Sequence, residues 1–342
     1  MYPEASFLVV SQNSLGKYIV GAYATSPNLF SWDEDIELKY YNMLKELESI
    51  RGLELPFWGK DLHPFDDEWL LSNLEPKWEN VLTCVPGTMK KLENNPYFGL
   101  ASKNQMSRKD AIEFYSKAHI CIEKLKRKFG PRSVIAIFIT SSPIINNKQV
   151  YAEKEAFISS LNELASWDWG NTKVLIEHCD AYNEKNTKPK KGFLSIKDEI
   201  DAIKQTNELY KTNFGIVINW GRSVIEHRNI NGPLKHIKSA MLHNVLDGLM
   251  FSGTTANDNN LYGAWSDLHM PPASYPNFKY FEQESLMSYD NIKRTFEICD
   301  YNSLYLIGIK LLSMPKNSSL HKRVYINNDT MTIMDKIINE IN

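Results

Sequence analysis

Three charged residues stand where charge is hardest to keep. Glu54 in GLELPFW (52–58), Glu177 in TKVLIEH (172–178) and Lys310 in SLYLIGIK (303–310) each follow several apolar residues in short, strand-like runs. A charged side chain in such a run has to be paired or to reach a polar opening. In a parallel sheet covered by helices, that opening is the end of the sheet. Two carboxylates and an ammonium meeting there can accept a sugar hydroxyl, remove a proton or steady developing negative charge. The competing reading is a buried ion pair that ties the strand ends together.

Other candidates cluster around the same runs. In IEHCDAY (176–182), alternation turns inward either Glu177 with Cys179 or His178 with Asp180. Cys179 reads as packing, because nothing beside it in sequence would activate a thiolate. In NWGRSVIEHR (219–228), Asn219 suits a hydroxyl or carbonyl, Gly221 allows close backbone approach, and Arg222 offers a fork for a carboxylate or phosphate. An ion pair with a neighbouring strand-end acid is an equally good use of Arg222. His63 in KDLHPFDDEW, with Asp61 near it, and His269 in WSDLHMPP, near Asp267, are loop histidines suited to proton transfer. Trp58, Trp220, Trp265 and Tyr23 fall near run ends, where they would stack on a sugar face or roof the molecule.

The elements that must position these residues alternate. Eight β-rich runs (17–24, 52–58, 79–85, 132–140, 172–178, 213–220, 246–252 and 303–310) are each followed by a segment with helical signals. Helices are expected over 32–49, from Asp66, over 107–129 and 151–166, and from Ser195 to about Lys211 behind a capping box. Others are expected from Pro233, over 288–299 and over 329–341. Mostly continuous apolar strands in strict alternation with helices predict an α/β fold, a (β/α)8 TIM barrel, with residues 1–342 forming one domain. No G-x-G-x-x-G turn follows the first run, which argues against an open dinucleotide-binding sheet. Long connections after the third run (86–106) and the seventh (253–287) fall on the side where barrels place their sites.

A formal net charge of −2 and a single short basic run, 188–191, speak against nucleic acid as a partner. No apolar stretch is long enough for a bilayer, so no membrane partner is expected. Four cysteines without C-x-x-C spacing read as reduced thiols, and the opening residues, with Glu4 early, read as no secretory leader. A cytoplasmic location is the expectation, and a homo-oligomer is left open.

The segments VGAYATSP (20–27), NVLTCVPGTM (80–89), SWDWG (166–170), IEHCDA (176–181), INWGRSVIE (218–226) and GLMFSG (248–253) resemble a bacterial family known as a domain of unknown function within the xylose-isomerase-like TIM barrels. The resemblance runs along nearly the whole chain. It implies the fold of metal-dependent sugar isomerases and epimerases, whose divalent metal is held at the ends of strands five to eight. Only Glu177 matches that ligand set. The other positions hold Asn219, Ser252 and Lys310, and an ammonium where a cation would sit disfavours metal. No cofactor is therefore assigned, with a divalent metal left open at a different site using Glu177, His178, Asp180 or His269.

The resulting expectation is an isomerase, epimerase or lyase for a small carbohydrate or sugar acid. Glu177, Lys310 and His269 would be its catalytic residues. Glu54, His63, Asn219, Arg222, Trp220 and Trp265 would be its substrate-binding residues. A variant has Lys310 forming a Schiff base. The alternative from another class is a non-catalytic sugar-binding or regulatory protein that has lost the metal site.

Overall fold

The computed structural model describes residues 16–28, 31–146 and 148–342. The opening residues with Glu4, from which the absence of a leader was expected, lie outside them.

Eight strands, β1 (Tyr18–Val20), β2 (Ile50–Pro56), β3 (Asn80–Thr83), β4 (Val134–Ile139), β5 (Lys173–His178), β6 (Gly215–Asn219), β7 (Leu246–Phe251) and β8 (Leu306–Ile309), close into a parallel barrel in chain order. Closure is direct, with Tyr18, Ile19 and Val20 of β1 registered against Ile307, Gly308 and Ile309 of β8. The outer layer is α1 (Glu34–Lys45), α2 (Asp67–Asn73), α3 (Val85–Asn94), α4 (Gln105–Phe129), α5 (Lys154–Ala165), α6 (Ile196–Tyr210), α7 (Trp220–His227), α8 (Gly232–Leu242), α9 (Tyr289–Glu297) and α10 (Leu320–Ile341). Among the described residues no helix is long and apolar enough to cross a membrane.

Helix starts follow their caps. Asp66 accepts from the Trp69 amide, and Ser195 accepts from the Asp198 amide, each satisfying a donor that the first turn leaves free. Four boundaries differ from expectation. Helix α4 opens at the Asn104 cap, ahead of Ser107. The connection after β3 contains α3, whose Pro86 fits the first turn, where no amide partner is needed. Helix α7 starts at once after β6, with Asn219 as its cap. Helix α10 begins at the Ser319 cap, well before residue 329, because the polar run Asn327–Asp329 hides a face that buries Arg323, Val324, Ile326 and Asn327.

Parity inside the barrel decides what reaches its mouth. Ile19, Val81, Ala136, Phe138, Leu175, Val217, Met250 and Leu306 pack together as the interior cluster. Successive side chains alternate faces, so two residues past Leu175, Val217 and Met250 stand Glu177, Asn219 and Ser252. Four past Leu306 stands Lys310, just beyond β8. The segment 253–287 then crosses the C-terminal end. Gly253 bridges Met270, and the Leu312 amide donates to the His269 carbonyl at 2.7 Å.

Candidate active site

The mouth gathers a compact set of charges. Arg222 Nη1 lies 2.8 Å from Glu177 Oε1, and Arg222 Nε lies 3.1 Å from Asp267 Oδ2. Lys310 Nζ lies 2.6 Å from Glu54 Oε1 and 3.5 Å from Glu177 Oε1. Asn219 Nδ2 donates to Glu177 Oε1 at 3.0 Å, while its Oδ1 accepts from the Arg222 amide and from Ser252 Oγ. Lys191 pairs with Asp267 from the loop after β5. Three acids (Glu54, Glu177, Asp267) thus face three cations (Lys191, Arg222, Lys310); five of the six are buried, and the Asp267 side chain is 6% exposed. Gly21 makes room for the centre, since a Cβ there would come within 2.9 Å of Glu54 Oε2 and of Lys310 Cγ.

Electrostatics separate the members. Burial resists ionisation of Glu177, but Arg222 and Lys310 outweigh it and hold the carboxyl at about 2. Burial likewise opposes charge on Asp267 and on Lys310. Arg222 and Lys191 keep Asp267 well below the carboxylate range, while Glu177 and Glu54 keep Lys310 protonated above the usual lysine value. Burial wins at Glu54, whose carboxyl is pushed up, and at His269, lowered to about 3 and therefore neutral. His269 Nδ1 stands 3.3 Å from Asp267 Oδ1, yet among the described residues neither atom has a hydrogen-bond partner, and neither has Glu177 Oε2. The set therefore holds a free carboxylate oxygen and a neutral imidazole beside two fixed cations.

Six of the expected residues, Glu54, Glu177, Asn219, Arg222, His269 and Lys310, meet here. Three do not. Trp220 points into the helix layer, where its Nε1 donates to Thr295 of α9 at 3.1 Å; α7 begins at this residue and carries the indole away from the barrel axis. Trp265, with a left-handed φ of 52°, covers the Arg228 guanidinium at 5.3 Å. His63 belongs to a neighbouring corner, where its Nδ1 accepts from the Asp66 amide at 3.0 Å and its ring packs on Trp32. The carboxylate beside it is Asp67, which accepts from its amide, whereas Asp61 pairs with Lys60. A Schiff base at Lys310 is not supported either, because an ammonium held by two carboxylates lacks the lone pair that attacks a carbonyl.

That corner is a cavity of about 240 Å3 at the ends of β1 and β2, lined by Tyr23, Trp32, Tyr40, Trp58, His63 and Phe65 among others. Tyr23 separates it from the charged centre, with Lys310 Nζ 5.7 Å from the ring centroid. Glu37 also lines it, and burial raises its carboxyl to about 7 despite hydrogen bonds from Ser26 and Asn28. The sequence reading passed over Lys191, Asp267 as a direct partner of Arg222, and Glu37. A loop lysine, a loop aspartate and a helix-face glutamate look solvated until the chain folds over them.

On β5 the alternation sends Glu177 inward and His178 outward. His178 Nδ1 is 2.6 Å from Glu199 of α6, and its Nε2 is 3.0 Å from Glu226 of α7. Burial opposes its charge, but these two carboxylates raise it to about 10. Cys179 is a buried thiol pushed up to about 12 by burial, in keeping with a packing role.

A divalent metal at the strand-five to strand-eight positions does not fit this mouth. Lys310 and Arg222 already place two cations on the carboxylates that would ligate it, and Asn219 and Ser252 add no negative charge.

Eight parallel strands closed in chain order and alternating with helices define a TIM barrel, with the charged set at its strand ends. The chain belongs to the family described as domain of unknown function DUF4862, which it matches over residues 19–326. A protein of Salmonella typhimurium (strain LT2), described as uncharacterised, is 34% identical over 325 residues, covering 95% of this chain and 98% of that protein. Among solved structures, L-ribulose 3-epimerase superposes with a TM-score of 0.57 at 10% identity, over 95% of this chain and 96% of that one. D-psicose 3-epimerase from Clostridium cellulolyticum H10, solved with D-tagatose, gives 0.53 at 14% identity over 95% and 98%. The IolI protein with a bound zinc atom gives 0.53 at 10% identity over 94% and 99%. These likenesses establish the fold.

Proposed function

We propose that this chain is an enzyme acting on a small carbohydrate or sugar acid by metal-free proton transfer, in the manner of an isomerase, epimerase or lyase. The observation that carries the reading is Glu177 Oε2, without a hydrogen-bond partner among the described residues, on a carboxylate held by Arg222 and Lys310, with the neutral His269 against Asp267 on the other side of Arg222. The names of the structural neighbours, two of them ketose 3-epimerases, support carbohydrate as the substrate class.

A C–H bond next to a carbonyl breaks when a base takes the proton and the electron pair moves to oxygen as an enediolate. Lys310 and Arg222 stabilise that oxygen, because fixed cations in a dry site need no reorganisation as charge develops. Glu177, kept ionised, accepts a substrate hydroxyl or receives the proton, and neutral His269 carries the second proton. Asp267 and His269 both belong to the segment that crosses the mouth and already complete the set, so movement of that segment would admit a substrate.

The test is exchange from solvent D2O. Incubated with a panel of ketoses and sugar acids, the wild-type protein should place deuterium on a carbon of one of them, followed by proton NMR. Glu177→Gln should slow this at least 100-fold, and full turnover by that variant would refute the role.

The closed ion network, with Glu177 and Lys310 at 0% exposure, favours a second reading: a sugar-binding protein without turnover. Saturable binding of a sugar with no deuterium uptake and no product would decide for it.

A further inference from the structure

On the outer face of β5, at its C-terminal end, two imidazoles and a carboxylate face one another, all buried. His178 Nε2, Glu226 and His236 each offer one ligand atom, all within 4.8 Å of one another, and all three residues are buried. His178 Nε2 is 3.0 Å from Glu226 Oε2, and His236 Nε2 is 3.5 Å from Glu226 Oε1. The opposite ring nitrogens are both engaged. His178 Nδ1 is 2.6 Å from Glu199 Oε2, and His236 Nδ1 is 2.9 Å from Ser223 Oγ. Glu199 is itself fixed by Ser141 Oγ at 2.5 Å. Nδ1 bound to a carboxylate or hydroxyl while Nε2 faces a shared point is the arrangement that orients histidines on a metal.

Two carboxylates, Glu199 and Glu226, flank the His178 ring, so a divalent cation among these groups would meet carboxylate and imidazole donors together. Two imidazoles with one carboxylate suit zinc or a neighbouring transition metal, whereas calcium and magnesium prefer all-oxygen shells.

We propose that His178, Glu226 and His236 form a buried transition-metal site, best suited to Zn2+, that pins α7 and α8 to β5 and is separate from the mouth. The site's role is structural, because its three ligands are buried where β5, α7 and α8 pack together.

The test uses the full chain, stripped with a chelator and dialysed against Zn2+ alone. About one equivalent should be retained by elemental analysis, Co2+ should give the absorption of a low-coordinate N/O site, and the melting temperature should rise. His236→Gln and Glu226→Gln should each lower the zinc affinity at least 10-fold, whereas Glu177→Gln at the mouth should keep it. Histidine nitrogen NMR on the wild-type protein keeps the proposal falsifiable if those variants do not fold. The His178 Nε2 resonance should shift to that of a metal-bound nitrogen when Zn2+ is added. No retained zinc with His178 still doubly protonated, or full affinity in folded His236→Gln and Glu226→Gln, would overturn the proposal.

Discussion

Lys310→Met is the most informative single change at the mouth. The methionine fills most of the lysine's volume but removes the ammonium that lies 2.6 Å from Glu54 and 3.5 Å from Glu177, at a residue with 0% exposure. Removing one partner of a buried ion pair costs about 3–5 kcal/mol, because the other charge is left without compensation. Unfolding entropy of about 2.1 cal/mol/K per residue, taken over the whole chain, is roughly 0.7 kcal/mol/K, so the melting temperature should fall by about 4–7 °C. The loss should depend on pH with a definite sign. Burial already pushes the Glu54 carboxyl up, and without Lys310 it rises further. A carboxyl whose folded value lies above its unfolded one removes stability as pH climbs past the unfolded value. The deficit should therefore be smallest below about pH 4.5, the ordinary glutamate value, and larger above neutrality, followed by differential scanning calorimetry. Adding Glu54→Gln should restore most of the lost stability, since a neutral pair in a buried site is often no worse than an ionic one. A Lys310→Met protein that melts within about 1 °C of wild type, or one that Glu54→Gln fails to restore, would refute the account of the mouth as a charge-balanced centre.

Two further predictions concern its surroundings. Glu37 is raised from 4.5 to about 7, so the folded state binds its proton more tightly than the unfolded one. Stability should then fall by up to about 3 kcal/mol as pH rises across that window; Glu37→Gln should flatten the profile, and an unchanged slope in urea titrations would exclude Glu37 as its source. Trp220→Phe should lose the bond to Thr295 and about 1 kcal/mol by denaturant midpoint, while leaving sugar binding unchanged; a large loss of binding would return the indole to the mouth.

The barrel was legible because each of its strands is a short apolar run and each is followed by helix chemistry, a local pattern that needs no knowledge of distant residues. Helix ends were less so. The extra turns of α10 rest on burial of Asn327 and Arg323, and polar residues read as exposed until a neighbour satisfies them. The sequence by itself also determined which charges had to be special. Glu54, Glu177 and Lys310 stand in apolar runs, and a charge in such a run must find a partner or an opening.

Tertiary structure decided the rest. Parity within the closed barrel chose Glu177 over His178 for the mouth, because period-two alternation offers both faces equally until one face is known to be the interior. The start of α7 at Trp220 turned an expected sugar platform into a helix-packing residue. Folding of the 253–287 segment over the strand ends brought Asp267 onto Arg222 across 45 positions of chain. A pairing at that separation leaves no mark in local composition, because it depends on where two distant backbones pass each other.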